Sequence, residues 1–230
     1  MADSVQYWDA IASTRWGRYI SAAEAAAIES ARAAAPAPRA AVDAGCGGGR
    51  WTRLLLDHGW SVTGFDVDPD AIRKCRNQNP EADCLIVDSN NERLPVADGS
   101  ASLVVCIEVL AVAHSAWFPR EARRVLAPGG RLVVVVWNRH SLRGLLADSS
   151  ARIRGKGSHP HYRTPYRDWR ARLRRDGFAI EAERGICWFP FGRSSDSRLI
   201  ATCIVAERWL GLARLPSISP WVLVTASRRK

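Results

Sequence analysis

Residues 40–69 read AAVDAGCGGGRWTRLLLDHGWSVTGFDVDP, and the fold turns on them. An apolar run, AAVDA, stops at three glycines set two apart, Gly45, Gly47 and Gly49. GGRWTRLLLDHG then has the residues of a helix and ends at Gly59. Strand, glycine turn and helix in that order open a parallel sheet, because a crossover helix is what returns the chain to begin the next parallel strand. SVTGFD supplies that second strand. Asp68 followed by Pro69 starts the next helix, with the aspartate as N-cap and the proline at the first helical position, where its missing N–H is not needed.

The alternation continues outward. CLIVD and SLVVCIEV predict strands three and four, a helix follows around 116–126, and LAPGG ends it. RLVVVVW is an uninterrupted apolar run of the kind buried on both faces of a parallel sheet. Thr164 and Pro165 predict a second capped helix start before YRDWRARLRRDGF, in which Trp169 and Leu173 share one face and Gly177 closes the helix. AIEAER running toward ICWF is strand six, and WVLVTA is strand seven. Between them lies an insertion, about 188–220, holding an amphipathic stretch, SRLIATCIVAERWLGLA. Upstream, SAAEAAAIESARAAA makes residues 5–34 helical until Pro36 and Pro38 interrupt. One domain over 1–230 is expected, with a helical segment at 1–38 that serves as substrate lid.

Composition sets the bounds. A chain of 230 residues with 47% hydrophobic and 24% charged residues suits one soluble core. No run approaches the ~18 apolar residues that a bilayer span requires. MADSVQYWDA lacks a basic segment followed by an apolar one, so a cytoplasmic protein is expected. The six cysteines (46, 75, 84, 106, 187 and 203) include no CxxC pair and no histidine at ligand spacing, so reduced, mostly buried thiols and no metal are expected. The net charge is +10. Arginine outnumbers lysine 30 to 3 and the excess is spread along the chain, which describes a solvated basic surface better than a nucleic-acid footprint.

Glycines after a strand let main-chain N–H groups approach a bulky ligand. The dinucleotide pattern GxGxxG fails here: counted from Gly45, its sixth place is Arg50, and the third glycine comes one residue early. The phosphate-loop pattern fails too, since Arg50 and Trp51 stand where lysine and a hydroxyl are required. A nucleoside ligand without a pyrophosphate remains.

VDAGCGGGRWTRLLLDHGWSVTGFDVDPDAI resembles the opening of class I S-adenosylmethionine-dependent methyltransferases, whose first motif is an acid followed by GxGxG. The resemblance continues through IVDSNNERLPVADGSASLVVCIEVL and EARRVLAPGGRLVVVV, covering about 40–137, with a weaker echo in YRTPYRDWRARLRRDGFAIE. It implies a Rossmann-like, doubly wound, seven-stranded and mostly parallel sheet in the order 3-2-1-4-5-7-6, its last strand antiparallel, with helices on both faces. It also implies S-adenosyl-L-methionine as cofactor and S-adenosyl-L-homocysteine as product. Asp43 then organises the glycine turn and faces the methionine end, and Gly45, Gly47 and Gly49 make room for the cofactor. Asp66 accepts the ribose hydroxyls beside Val67, Asp88 with Ser89 reads the adenine, and Cys106 and Ile107 line the pocket. A helix cap is the other use for Asp66, but Asp68 already fills it. Where the family has an aromatic residue and an aspartate, this chain has Ala101 and Ser102.

A sulfonium methyl needs chiefly an aligned acceptor, worth roughly 7–11 kcal/mol. For a hydroxyl acceptor a base helps, and His114, just past strand four, is the candidate catalytic residue, ahead of His140. The acceptor expected is a small molecule, apolar, aromatic or lipid-linked, methylated on oxygen. Tyr7, Trp8, Trp16, Tyr19 and the tryptophans of the insertion are available to roof it or simply to pack. RNA is the alternative acceptor, and a binding protein without turnover is a third class.

Overall fold

The computed structural model describes residues 11–155, 159 and 161–229. Its middle layer is one sheet of β1 (Ala40–Ala44), β2 (Ser61–Asp66), β3 (Asp83–Ile86), β4 (Ala101–Cys106), β5 (Leu126–Trp137), β6 (Phe178–Ile186) and β7 (Trp221–Arg228). The strand order is β3-β2-β1-β4-β5-β7-β6, with β7 antiparallel to both neighbours and the pairs from β3 to β5 parallel, as expected. Around it lie α1 (Arg15–Ala34), α2 (Arg50–Leu56), α3 (Pro69–Gln78), α4 (Leu110–Ala113), α5 (Phe118–Val125), α6 (Leu142–Ile153), α7 (Tyr166–Arg175) and α8 (Leu199–Trp209).

The uniform apolar runs in β4 and β5 follow from burial on both faces. Alternate side chains serve two separate cores: Val133 and Val135 pack with Leu103, Val105 and Trp16 of α1, while Leu132, Val134 and Val136 pack with Val104, Phe118 and Trp169. A two-residue period therefore exists in β5, hidden because both faces demand apolar residues.

Four expectations need correction. LAPGG does not separate helix from strand: Leu126 already pairs with Ala101, and the register shifts before Leu103, so these residues form the irregular start of β5. Thr164 caps nothing. Pro165 occupies the N-cap position of α7, and the Tyr166 N–H is instead satisfied by buried Asn138 Oδ1 at 3.0 Å, a partner 28 residues away. Helix α6 was not foreseen, although Ser141 caps it by accepting from the Gly144 N–H at 3.0 Å. The thiols are not all reduced, since Cys75 of α3 and Cys84 of β3 form a disulfide.

Ser102 is fully buried, and its hydroxyl donates to the Pro38 carbonyl, so a neutral side chain meets the one partner this position offers. Among the described residues, no helix is long and apolar enough to cross a membrane.

Candidate functional site

The strand order reverses at β1, where β2 lies on one side and β4 on the other, and ligands of open parallel sheets gather beyond the carboxyl ends at such a point. A cavity of about 360 Å³ opens there, within the usual range for small-molecule sites. Its walls come from α1 (Gly17, Ile20, Glu24), the glycine turn (Gly45, Gly47), Arg50 and Trp51 of α2, Asp66 and Asp68 after β2, Ile107 to Val109 after β4, and Arg193.

The three glycines have two different reasons to exist. All have positive φ: +77° at Gly45, +53° at Gly47 and +89° at Gly49. A Cβ on Gly45 would lie 2.3 Å from a Val109 methyl, and one on Gly49 would lie 2.2 Å from Asn79 Nδ2, so these two positions allow close packing within the protein. A Cβ on Gly47 would meet nothing within 4 Å. Gly47 alone of the three presents bare backbone to open space, and with Gly45 it lines the cavity.

Asp66 ties this turn to β2. Its Oδ2 accepts the Gly47 N–H at 3.0 Å and its Oδ1 accepts the Asp68 N–H at 3.0 Å, which fixes the carboxylate and leaves each oxygen a further lone pair. Asp68 makes the expected cap, accepting from the Asp70 N–H at 2.9 Å, so the two acids divide the roles. Asp43 lies beneath the turn, fully buried, with Oδ2 accepting the Thr52 hydroxyl at 2.8 Å. Burial pushes its carboxyl up to about 6, against the lowering effect of Thr52, while Asp66 adds to the rise. It joins β1 to α2 and is not among the lining residues.

Other expected site residues do not line the cavity. Cys106 is wholly buried in the core between β4 and its neighbours. Val67 is 54% exposed just beyond Asp66. Asp88 and Ser89 are exposed past β3, and Asp88 Oδ1 closes its own turn by accepting the Asn90 N–H at 2.8 Å. His114 does not line the cavity. It is buried beside α7, neither ring nitrogen has a partner among the described residues, and burial with the nearby Arg172 and Arg163 pushes its pKa down to about 4. Trp16 stacks on Tyr19 at 4.8 Å within the core, and Trp221 stacks on Trp137 at 4.5 Å, so both serve packing. Tyr7 and Trp8 lie outside the described residues.

Two acid–arginine pairs in the cavity were missed. Glu24 of α1 is fully buried; Arg50 Nη2 donates to its Oε2 at 3.2 Å, and among the described residues its Oε1 has no hydrogen-bond partner. Glu108, directly after β4, faces Arg193 with Nη2 to Oε1 at 3.4 Å. Glu108 has φ +61°, a backbone strain of about 1–3 kcal/mol that clusters at functional sites. Burial raises both carboxyls, and at Glu24 the nearby Glu108 adds to the rise while Arg50 and Arg193 oppose it. Arg193 in turn lies 5.1 Å over the Trp137 ring and 5.0 Å over Trp221. An acid interrupting the apolar continuation of β4 was a visible signal for Glu108; nothing local marked Glu24 or Arg193.

Residues 42–134 match the methyltransferase domain family. A 2-methyl-6-phytyl-1,4-hydroquinone methyltransferase of Synechocystis is 33% identical over 100 residues, 42% of this chain and 31% of that protein. A 23S rRNA (guanine(748)-N(1))-methyltransferase of Streptomyces fradiae is 34% identical over 122 residues, 52% of this chain and 41% of that protein. The matched segments thus span well under half the length of these relatives. In fold, a solved S-adenosylmethionine-dependent methyltransferase from Mesorhizobium loti is similar, with TM-score 0.60 at 24% identity, over 87% of this chain and 96% of that one.

The fold and cavity define a Rossmann-like, nucleoside-binding architecture. Residues 42–134 are similar to the methyltransferase domain family, and the chain has the fold of S-adenosylmethionine-dependent methyltransferases. Its cofactor fits the site: bare backbone at Gly47, a held carboxylate at Asp66 and an unpartnered buried carboxyl oxygen on Glu24 offer partners for a nucleoside carrying an amino-acid tail.

Proposed function

We propose that this chain transfers a methyl group from S-adenosylmethionine to an oxygen of a small apolar or aromatic molecule. The observation that carries the reading is the cavity at the β1/β4 switch point, where the Asp66 carboxylate is locked by two backbone N–H groups beside open space at Gly47. A fixed carboxylate with spare lone pairs suits a vicinal diol. Val67, exposed just beyond it, offers an apolar face to the adenine, with Asp88 and Ser89 at that outer end. At the opposite end, Arg50 suits the carboxylate of the amino-acid tail and Glu24 Oε1 its ammonium.

The bound cofactor supplies an already activated methyl group. The chain's own residues then need to align the acceptor and exclude water. Ile20, Ile107 and Val109 give the acceptor apolar walls. Removal of the acceptor's proton falls to Glu108, which lines the cavity, rather than to His114, which does not. Residues 11–38 and the insertion, through Arg193, form the acceptor side of the site.

The relative named for a hydroquinone supports an aromatic acceptor, and the one named for ribosomal RNA, with the net charge of +10, keeps RNA as the second reading. Mass spectrometry after incubation with S-adenosylmethionine and a panel of hydroquinones and phenols tests the choice. An added methyl group on a phenolic oxygen is expected. Methylation of RNA alone, or no calorimetric binding of S-adenosylhomocysteine, overturns the reading.

A further inference from the structure

Helix α8 presents its residues the wrong way round for a packed surface helix. Only Ile200 and Glu207 are buried, and Glu207 is hydrogen-bonded to Tyr19 of α1, whereas Leu199 and Val205 are each 66% exposed and Trp209 is 85% exposed. Leu210 continues the apolar surface at the helix end. Positions 199, 205 and 209 fall on one side of a helix at 100° per residue, so the outward side chains make a ridge and not a scatter.

The charges around this ridge are of one sign. Arg198, Arg208 and Arg214 are exposed, and none forms an ion pair among the described residues. The acids nearby are already engaged, Asp196 by Arg15 and Glu207 by Tyr19. The insertion joins the carboxyl end of β6 to the start of β7, at the edge of the sheet where the cavity opens. Helix α1 lies between, touching α8 through Tyr19 and lining the cavity through Glu24.

We infer that α8 is an interfacial helix that docks this chain on an anionic lipid surface, with Leu199, Val205, Trp209 and Leu210 entering the headgroup boundary and Arg198, Arg208 and Arg214 against lipid phosphates. A convex ridge of apolar side chains ending in an amphipathic tryptophan and rimmed by unneutralised arginine matches such a surface in both shape and charge. An acidic protein partner is the competing occupant. The inference does not depend on the cofactor; with an apolar acceptor it explains why the docking ridge lies at the same carboxyl edge of the sheet as the cavity, with α1 between them.

Co-sedimentation of the full chain with vesicles tests it, comparing pure phosphatidylcholine with a mixture containing about 30% phosphatidylglycerol, a lipid whose charge attracts each basic residue. The wild type is expected to bind the anionic vesicles about tenfold more tightly than the neutral ones, and to lose that advantage as salt shortens the screening length. Trp209→Ser, and separately the triple change Arg198→Ala, Arg208→Ala and Arg214→Ala, are each expected to lower binding by about tenfold or more. Binding of S-adenosylhomocysteine, measured by calorimetry, is expected to stay unchanged in these variants, since none of the altered residues lines the cavity. Absence of wild-type binding to anionic vesicles, binding indifferent to both variants, or a self-associated species dissolved by Trp209→Ser overturns the inference. Loss of cofactor binding by the wild type strikes the proposed function instead.

Discussion

The two walls of the cavity were built by different physics. The sheet wall, from Ala44 to Asp68 with the end of β4, is held by short-range rules: glycines at positive φ, an N-cap at Asp68, and a carboxylate reaching 19 residues back to Gly47. The lid wall joins Glu24 of α1 and Arg193 of the insertion to Arg50 and Glu108, residues brought together from 26 to 85 positions apart. The sheet wall is thus held by hydrogen bonds within the chain. The other wall contains the Glu24 oxygen left without a partner among the described residues and the strained Glu108 backbone, both facing the cavity.

The sharpest contrast is in stability. Leu132→Ala, in the sheet core with no exposure, is expected to cost about 2–5 kcal/mol in urea unfolding, because it removes buried apolar contacts and leaves a void between β5 and its neighbours. A loss within the error of the measurement would mean the sheet is less tightly built than its burial says.

Asp43 tests the sheet wall through pH. Its folded-state value near 6 exceeds the ordinary unfolded value of about 4, so the folded chain holds this proton better. The resulting stabilisation is complete below about pH 4 and is lost as pH rises through about 6, a difference of up to about 3 kcal/mol. Asp43→Asn keeps an acceptor for Thr52 and removes this titration. Its melting temperature is expected to gain on the wild type between pH 4 and 7; parallel curves would contradict the burial of an ionising acid.

Glu24→Gln separates the lid wall from the sheet wall. Removing a buried carboxyl whose ionisation is opposed by burial should leave stability equal or higher, while affinity for S-adenosylhomocysteine falls about tenfold with the lost charge-assisted hydrogen bond. Affinity that is unchanged by calorimetry would remove Glu24 from the proposed site. The smallest effect is expected at Gly47→Ala, about 1 kcal/mol for the left-handed backbone with no clash, against a larger loss at Gly49→Ala, where Asn79 stands in the way. Equal losses would show that the openness at Gly47 is not real.

What the sequence made legible follows the same division. Strand β2 and the Asp68–Pro69 helix start are legible because each depends on neighbours within one turn or one strand, whereas the strand order came from the resemblance alone. The start of α7 was misread because its cap comes from Asn138, which no local pattern predicts. The first turn of β5 was misread because pairing with Ala101 overrides the turn preference of Pro128 and Gly129. His114 was favoured by its position after β4, yet chain position does not say which way a side chain turns, and this one turns into the protein beside α7. Glu24 and Arg193 had no local signature, since their roles arise only when α1 and the insertion close over the sheet.

The central claim is that the carboxylate at Asp66, anchored by Gly47 and Asp68, holds the sugar of the cofactor. Calorimetric titration of S-adenosylhomocysteine into the wild type and into Asp66→Ala, with the fold of each checked by circular dichroism, tests it most directly. One site on the wild type and at least about tenfold weaker binding by the folded variant are predicted, the cost of losing hydrogen bonds to a charged acceptor. Equal affinity in a variant that keeps its fold would contradict the claim.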